Sequence, residues 1–149
     1  MIMKANELMT TNPACCTPQT TAQQAAQLME ENDCGCIPVV EDEESRFLVG
    51  VVTDRDIALR GVAQGRSPET PIRDLMSTDV SAVRPEDELA AIEELMAELQ
   101  VRRVPVVDED GCCVGIIAQA DLALEDEESD GAVGHVVEKI SEKATRQLA

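Results

Sequence analysis

The sequence contains itself twice. "NELMTTNPACCTPQTTAQQAAQLMEENDCGCIPVVED" lies without a gap over "RDLMSTDVSAVRPEDELAAIEELMAELQVRRVPVVDE". Leu8-Met9 falls on Leu75-Met76, Pro18 on Pro85, and Pro38-Val39-Val40 on Pro105-Val106-Val107. After a loop two residues shorter in the second copy, "FLVGVVTDRDIAL" falls on "CCVGIIAQADLAL". A chain built this way must make one supersecondary unit twice, and the two copies are expected to bury their apolar faces together.

Each copy reads as strand–helix–strand–strand–helix. A short strand ends near Cys16 or Val83, and Thr20 or Asp87 is placed to cap the helix that follows. Ala22, Ala25, Ala26 and Met29 share one face of that helix, as do Leu89, Ile92, Leu95 and Met96 in the second copy. β-branched strands follow at 36–40 and 103–107. Polar loops, "EDEESR" and "DEDG", then lead to strands at 47–52 and 112–117. A second helix begins at Thr53 or Ala118. Three short strands bury little alone, so the pattern predicts an α/β fold of two β-α-β-β-α repeats packed as a pair. The expected boundaries are repeat 1 at 4–62, a linker at 63–70 and repeat 2 at 71–124. Residues 125–149 form an acidic linker and a C-terminal amphipathic helix with Val133, Val136, Val137 and Ile140 at helical spacing.

Charge and composition narrow the partners. Thirty acids against twelve bases give a formal charge of -18. Such a surface repels nucleic-acid phosphates and anionic membranes, so an anionic ligand needs a local basic pocket. One Phe and no Trp or Tyr leave no aromatic platform for stacked bases. No apolar run reaches the ~18 residues of a membrane span, and "MIMKANELMT" lacks a signal peptide's apolar core. The expected location is the cytoplasm, where the six cysteines would be reduced.

"LMTTNP", "CIPVVEDEESRFLVGVVTDRDI", "DLMSTDV" and "RRVPVVDEDGCCVGIIAQADL" resemble the tandem CBS-domain pair, or Bateman module, over most of residues 4–124. In particular the chain looks like the small, free-standing bacterial pairs, including those of the hypoxic-response type. The resemblance implies a regulatory module that binds AMP, ADP, ATP or S-adenosylmethionine in inter-repeat clefts, and pairs into homodimers that signal to a protein partner. It implies no required cofactor. In the family's motif Gly-apolar-x-Thr/Ser-x-x-Asp, the Asp holds the ribose hydroxyls and the Thr or Ser lies by the phosphates. Gly50, Thr53 and Asp56 match it fully. Gly115 and Asp121 match in the second copy, where Ala118 replaces the hydroxyl, so one good site and one degraded site are expected.

The same residues carry a second reading. Thr53-x-x-Asp56 at a strand-to-helix junction is also a capping-box pattern. Arg55 adds a cation in the first helical turn, where the helix dipole disfavours it and a phosphate would welcome it. Arg102 and Arg103, just before "VPVV", form the other basic cluster, and guanidinium suits phosphate. By resemblance they face phosphates in the central cleft. Thr11, Cys16, Cys36 and Ile37 are placed around the adenine.

The cysteines come as Cys15-Cys16, Cys34-x-Cys36 and Cys112-Cys113, with no C-x-x-C and no zinc-finger spacing. They read as small buried fillers, or as a redox or soft-metal site joining Cys15 or Cys16 with Cys34 or Cys36. The latter is the alternative function, a thiol or metal sensor with vestigial nucleotide clefts. His135 is the only histidine. With no catalytic triad, Walker loop or H-E-x-x-H, the chain reads as a binder and not an enzyme.

Overall fold

The computed structural model describes residues 2–126, with side chains for 2–122. The C-terminal amphipathic helix and His135 expected from the sequence lie outside the described residues. The elements are α1 (Ala5–Leu8), β1 (Thr10–Thr11), α2 (Ala22–Glu31), β2 (Cys36–Val40), β3 (Leu48–Thr53) and α3 (Asp54–Asp56). After a π-helical turn (Ile57–Gly61) and two 3-10 turns (Val62–Gln64, Ile72–Asp74) come α4 (Leu89–Leu99), β4 (Arg103–Val107), β5 (Cys113–Ala118) and α5 (Gln119–Asp126). The mixed helix and strand order is the α/β arrangement read from the duplicated pattern. Among the described residues no helix is long and apolar enough to cross a membrane.

The chain condenses into two compact units that draw on both repeats. Among the described residues, one comprises Asn12–Ser81 and Glu109–Val114; the other takes residues 2–11, Ala82–Asp108 and residues 115–126. The leading segment of each repeat therefore joins the other repeat's sheet. In one unit Thr10 pairs with Ile116 and Thr11 with Gly115, giving the strand order β1-β5-β4. In the other, β2 and β3 pair antiparallel, and the equivalent of Thr10, Ser77, bridges Val51 antiparallel. The exchange is reciprocal at the helices too: Lys4 bridges Glu88, as Pro71 bridges Thr21.

The short strands expected near Cys16 and Val83 are single parallel bridges, to Val39 and Val106. Pro38 and Pro105 lack an N–H, but their carbonyls accept from Cys16 N and Val83 N, each at 3.0 Å. The helices begin one residue later than expected. Thr20 Oγ1 accepts from Thr17 N at 3.0 Å and Asp87 Oδ2 from Arg84 N at 2.8 Å, so both side chains close the preceding turn. Thr21 caps α2 instead, in a reciprocal box with Gln24, and Glu88 is the N-cap of α4.

The core of the Asn12–Ser81 unit joins Cys16, Ala22, Ala25, Met29, Ile37, Val39, Val52, Ile72 and Leu75. Ala26, expected on the buried face of α2, is exposed; the apolar stripe runs through Ala22, Ala25 and Met29. The other unit buries Ile92 and Met96 of α4, and Val104, Val106, Ile117 and Leu122. Each fully buried aliphatic side chain of this kind contributes about 2 kcal/mol.

Candidate functional site

β3 delivers Thr53 in extended conformation, and its side chain and that of Asp56 cap each other's backbone. Thr53 Oγ1 accepts from Asp56 N at 3.0 Å, and Asp56 Oδ2 accepts from Thr53 N at 3.0 Å. The capping reading of this stretch is therefore realised. It leaves capacity for a ligand, because a carboxylate offers about four acceptor positions. Asp56 Oδ1 lies 3.9 Å from Arg60 Nε. Arg60 was not legible as a site residue. Its Nη1 donates to the carbonyls of Leu75 and Met76, both at 3.2 Å, which pins the π-helical turn to the segment leading into Ser77.

Asp54 N donates to the Gly35 carbonyl at 2.9 Å, and Asp54 Oδ1 accepts from Arg55 N at 2.8 Å. The Asp54 carboxylate lies over Gly35 so closely that a Cβ there would stand 2.8 Å from Oδ2. Gly35 is thus the space in which the first turn's carboxylate sits. Arg55 is exposed, and its guanidinium has no hydrogen-bond or ion-pair partner among the described residues.

The second copy repeats the backbone and half of the cap. Ala118 N donates to Asp121 Oδ2 at 2.9 Å, but there is no hydroxyl to return the bond. Gln119 N donates to the Arg102 carbonyl at 2.7 Å, matching the Asp54–Gly35 bond. Arg102 and Arg103 thus open β4 beside this second junction, Arg102 exposed and Arg103 half-buried. Thr11, in β1, is exposed and belongs to the same compact unit as these arginines.

The motif glycines have a packing reason. A Cβ on Gly50 would fall 2.6 Å from the Ser77 carbonyl oxygen, and one on Gly115 would collide with the Met9 side chain. Each glycine lets the leading segment of the other repeat lie against its strand.

Of the residues assigned to an adenine slot, Cys36 is half-buried, but Cys16 and Ile37 are core side chains, at 4% and 1% exposure. Ile37 pairs with Val52 across β2 and β3, and both belong to the core.

Of the pairings in the alternative reading, the structure brings Cys16 beside Cys36, while Cys15 is also in contact with a third cysteine. None of the six is joined in a disulfide. Cys15 is in contact with Arg46 and Cys113, whereas Cys16 neighbours Cys36. Burial, and secondarily the neighbouring Cys36, push the Cys16 thiol up to about 12. Cys34 packs at the edge of the core. Among the described residues no group of three or more His, Cys, Asp or Glu is placed to hold a metal ion.

Comparison with known proteins places this geometry. The CBS-domain family model matches residues 5–61 and 72–128. The CBS domain-containing protein YhcV of Bacillus subtilis is 43% identical over 135 residues, covering 91% of this chain and 93% of that protein. The crystal structure of Hypoxic Response Protein I with two coordinated zinc ions superposes with a TM-score of 0.74 at 35% identity, covering 82% of this chain and 98% of that one. The crystal structure of CBSX2 in complex with AMP gives a TM-score of 0.73 at 27% identity, covering 84% and 96%. The chain belongs to the CBS domain family and carries two CBS domains.

Proposed function

We propose that this protein is a regulatory module, not an enzyme, which binds an adenosyl nucleotide at the Thr53–Asp56 junction. The observation that carries the reading is a helix start where Asp56 keeps acceptor capacity beyond its cap and Arg55 presents a guanidinium without a partner among the described residues. Asp56 takes the ribose hydroxyls, while Thr53 and Arg55 meet the phosphates. The adenine lies against Cys36, with Cys16 and Ile37 nearby. Asp121 marks a weaker second site, because Ala118 supplies no hydroxyl. The AMP complex of CBSX2 supports the ligand class by similarity. The ligand acts by binding two conformations with unequal affinity, which biases a protein partner.

Calorimetric titration of the reduced, metal-free protein with AMP, ATP, S-adenosylmethionine and GTP tests this. Heat from an adenosyl ligand near one per chain, absent with GTP, supports it. No heat from any adenosyl ligand across salt conditions overturns it.

A further inference from the structure

Arg46 ends the acidic loop in the left-handed region, at φ 57, a conformation that costs a non-glycine residue energy. The loop holds it there: Asp42 Oδ1 accepts from Glu44 N and Ser45 N, and Arg46 N donates to the Asp42 carbonyl at 3.0 Å. Two of its guanidinium nitrogens are engaged. Nε donates to the Cys113 carbonyl at 3.2 Å, and Nη2 to the Pro13 carbonyl at 3.1 Å and to Cys15 Sγ at 3.2 Å. Cys113 in turn makes a side-chain hydrogen bond to Cys15. Cys15 is half-buried and Cys113 is 2% exposed.

In the repeat register these two positions are Ala82 and Leu48, so the fold does not need sulfur at either. What is specific to this site is two touching thiols with a cation on the more accessible one.

We propose that Cys15 and Cys113 are a reversible redox pair, with Cys15 the attacking thiolate, Cys113 the resolving thiol and a small disulfide such as oxidised glutathione the oxidant. The Cys15 thiolate attacks one sulfur of the disulfide, forming a mixed disulfide and releasing one small thiolate. Cys113 then loses its proton and attacks Cys15 Sγ, which expels the second small thiolate and closes the Cys15–Cys113 bond. Two protein thiols are oxidised by two electrons and one small disulfide is reduced to two thiols. The hydrogen bond from Cys113, opposed by burial and aided by the Arg46 charge, holds the Cys15 thiol below its ordinary range. Cys16 is its opposite, pushed up by burial, and makes a poor competitor. The pair does not depend on the nucleotide reading.

The test is peptide mapping by mass spectrometry after reduced protein is treated with oxidised glutathione. A Cys15–Cys113 crosslink is expected in the wild type, glutathione trapped on Cys15 in Cys113→Ala, and neither in Cys15→Ser. A different protein disulfide, none, or glutathione resting on wild-type Cys15 would overturn the pair. The wild type alone also tests the thiolate: the iodoacetamide rate at Cys15 should reach half-maximum below the pKa of about 8.5 of a free cysteine. A midpoint at or above that value removes the attacking role. Arg46→Met should slow the reaction about tenfold near neutral pH while Arg46→Lys keeps most of it, and equal rates would remove Arg46 from it.

Discussion

The Gln119 amide donates to the Arg102 carbonyl at 2.7 Å, as the Asp54 amide donates to that of Gly35 at 2.9 Å. The two strand-to-helix junctions are one structure built twice, with different side chains at the same backbone bond. In one copy the carbonyl belongs to a glycine roofed by a carboxylate, and in the other to an arginine.

That difference makes Gly35 a test of the junction. Gly35→Ala adds a methyl against the Asp54 carboxylate, while the stiffer unfolded chain offsets part of the cost. A net loss of about 1 kcal/mol is expected from the urea midpoint, recovered in the Asp54→Ala background. Additive losses would show that the two residues do not compete for one space.

Gly50 and Gly115 should respond unequally to alanine. The neighbour at Gly50 is the Ser77 backbone oxygen, which cannot move without breaking the Val51–Ser77 bridge, whereas at Gly115 it is the flexible Met9 side chain. Gly50→Ala is expected to cost about 3 kcal/mol and Gly115→Ala about 1 kcal/mol, measured by thermal unfolding. The reverse order would contradict this packing.

For binding, Asp56→Asn keeps an acceptor for Thr53 N but loses the charge and one acceptor oxygen. It should retain the wild-type melting temperature and weaken adenosyl binding at least tenfold, about 1.4 kcal/mol. Asp121→Asn should change the affinity less than twofold. Equal losses in the two variants would refute the assignment of one strong site and one weak one.

Alkaline stability should follow Cys16. Its folded-state thiol is raised to about 12, so the neutral form is favoured by folding. The contribution is whole below the unfolded thiol's pKa and is lost as pH rises from there toward 12, by up to about 1.4 kcal/mol per pH unit. Cys16→Val, which copies Val83 of the second repeat, should flatten this slope between pH of about 9 and 11 in urea titrations. Cys15 has the opposite sign: its contribution is present above the unfolded pKa and fades as pH falls through the lowered one. An unchanged slope in Cys16→Val would mean that another group titrates.

The homodimer implied by the resemblance is a separate expectation, checked by sedimentation velocity at micromolar concentration. Twice the chain mass of 16.1 kDa is the expected result, and a monomer mass refutes it.

Much of this was legible in the chain itself. Strands β2 to β5 fall within a residue of the expected spans because β-branched runs and turn residues are local signals. The Thr53–Asp56 cap, three residues apart, was equally legible. The same locality explains the misplaced helix starts: Thr20 and Thr21 are both hydroxyls, and only the turn formed with Thr17 decides which one caps. By itself the sequence determined the duplicated unit, the order of its elements and the difference between Thr53 and Ala118. Tertiary structure alone decided that Thr10 pairs with Ile116 and Ser77 with Val51, because both leading segments carry the same pattern and either sheet edge would accept either. It also decided that Cys15 meets Cys113 and Arg46. That meeting joins residues far apart in sequence through one loop's left-handed turn, and no local period encodes such a contact.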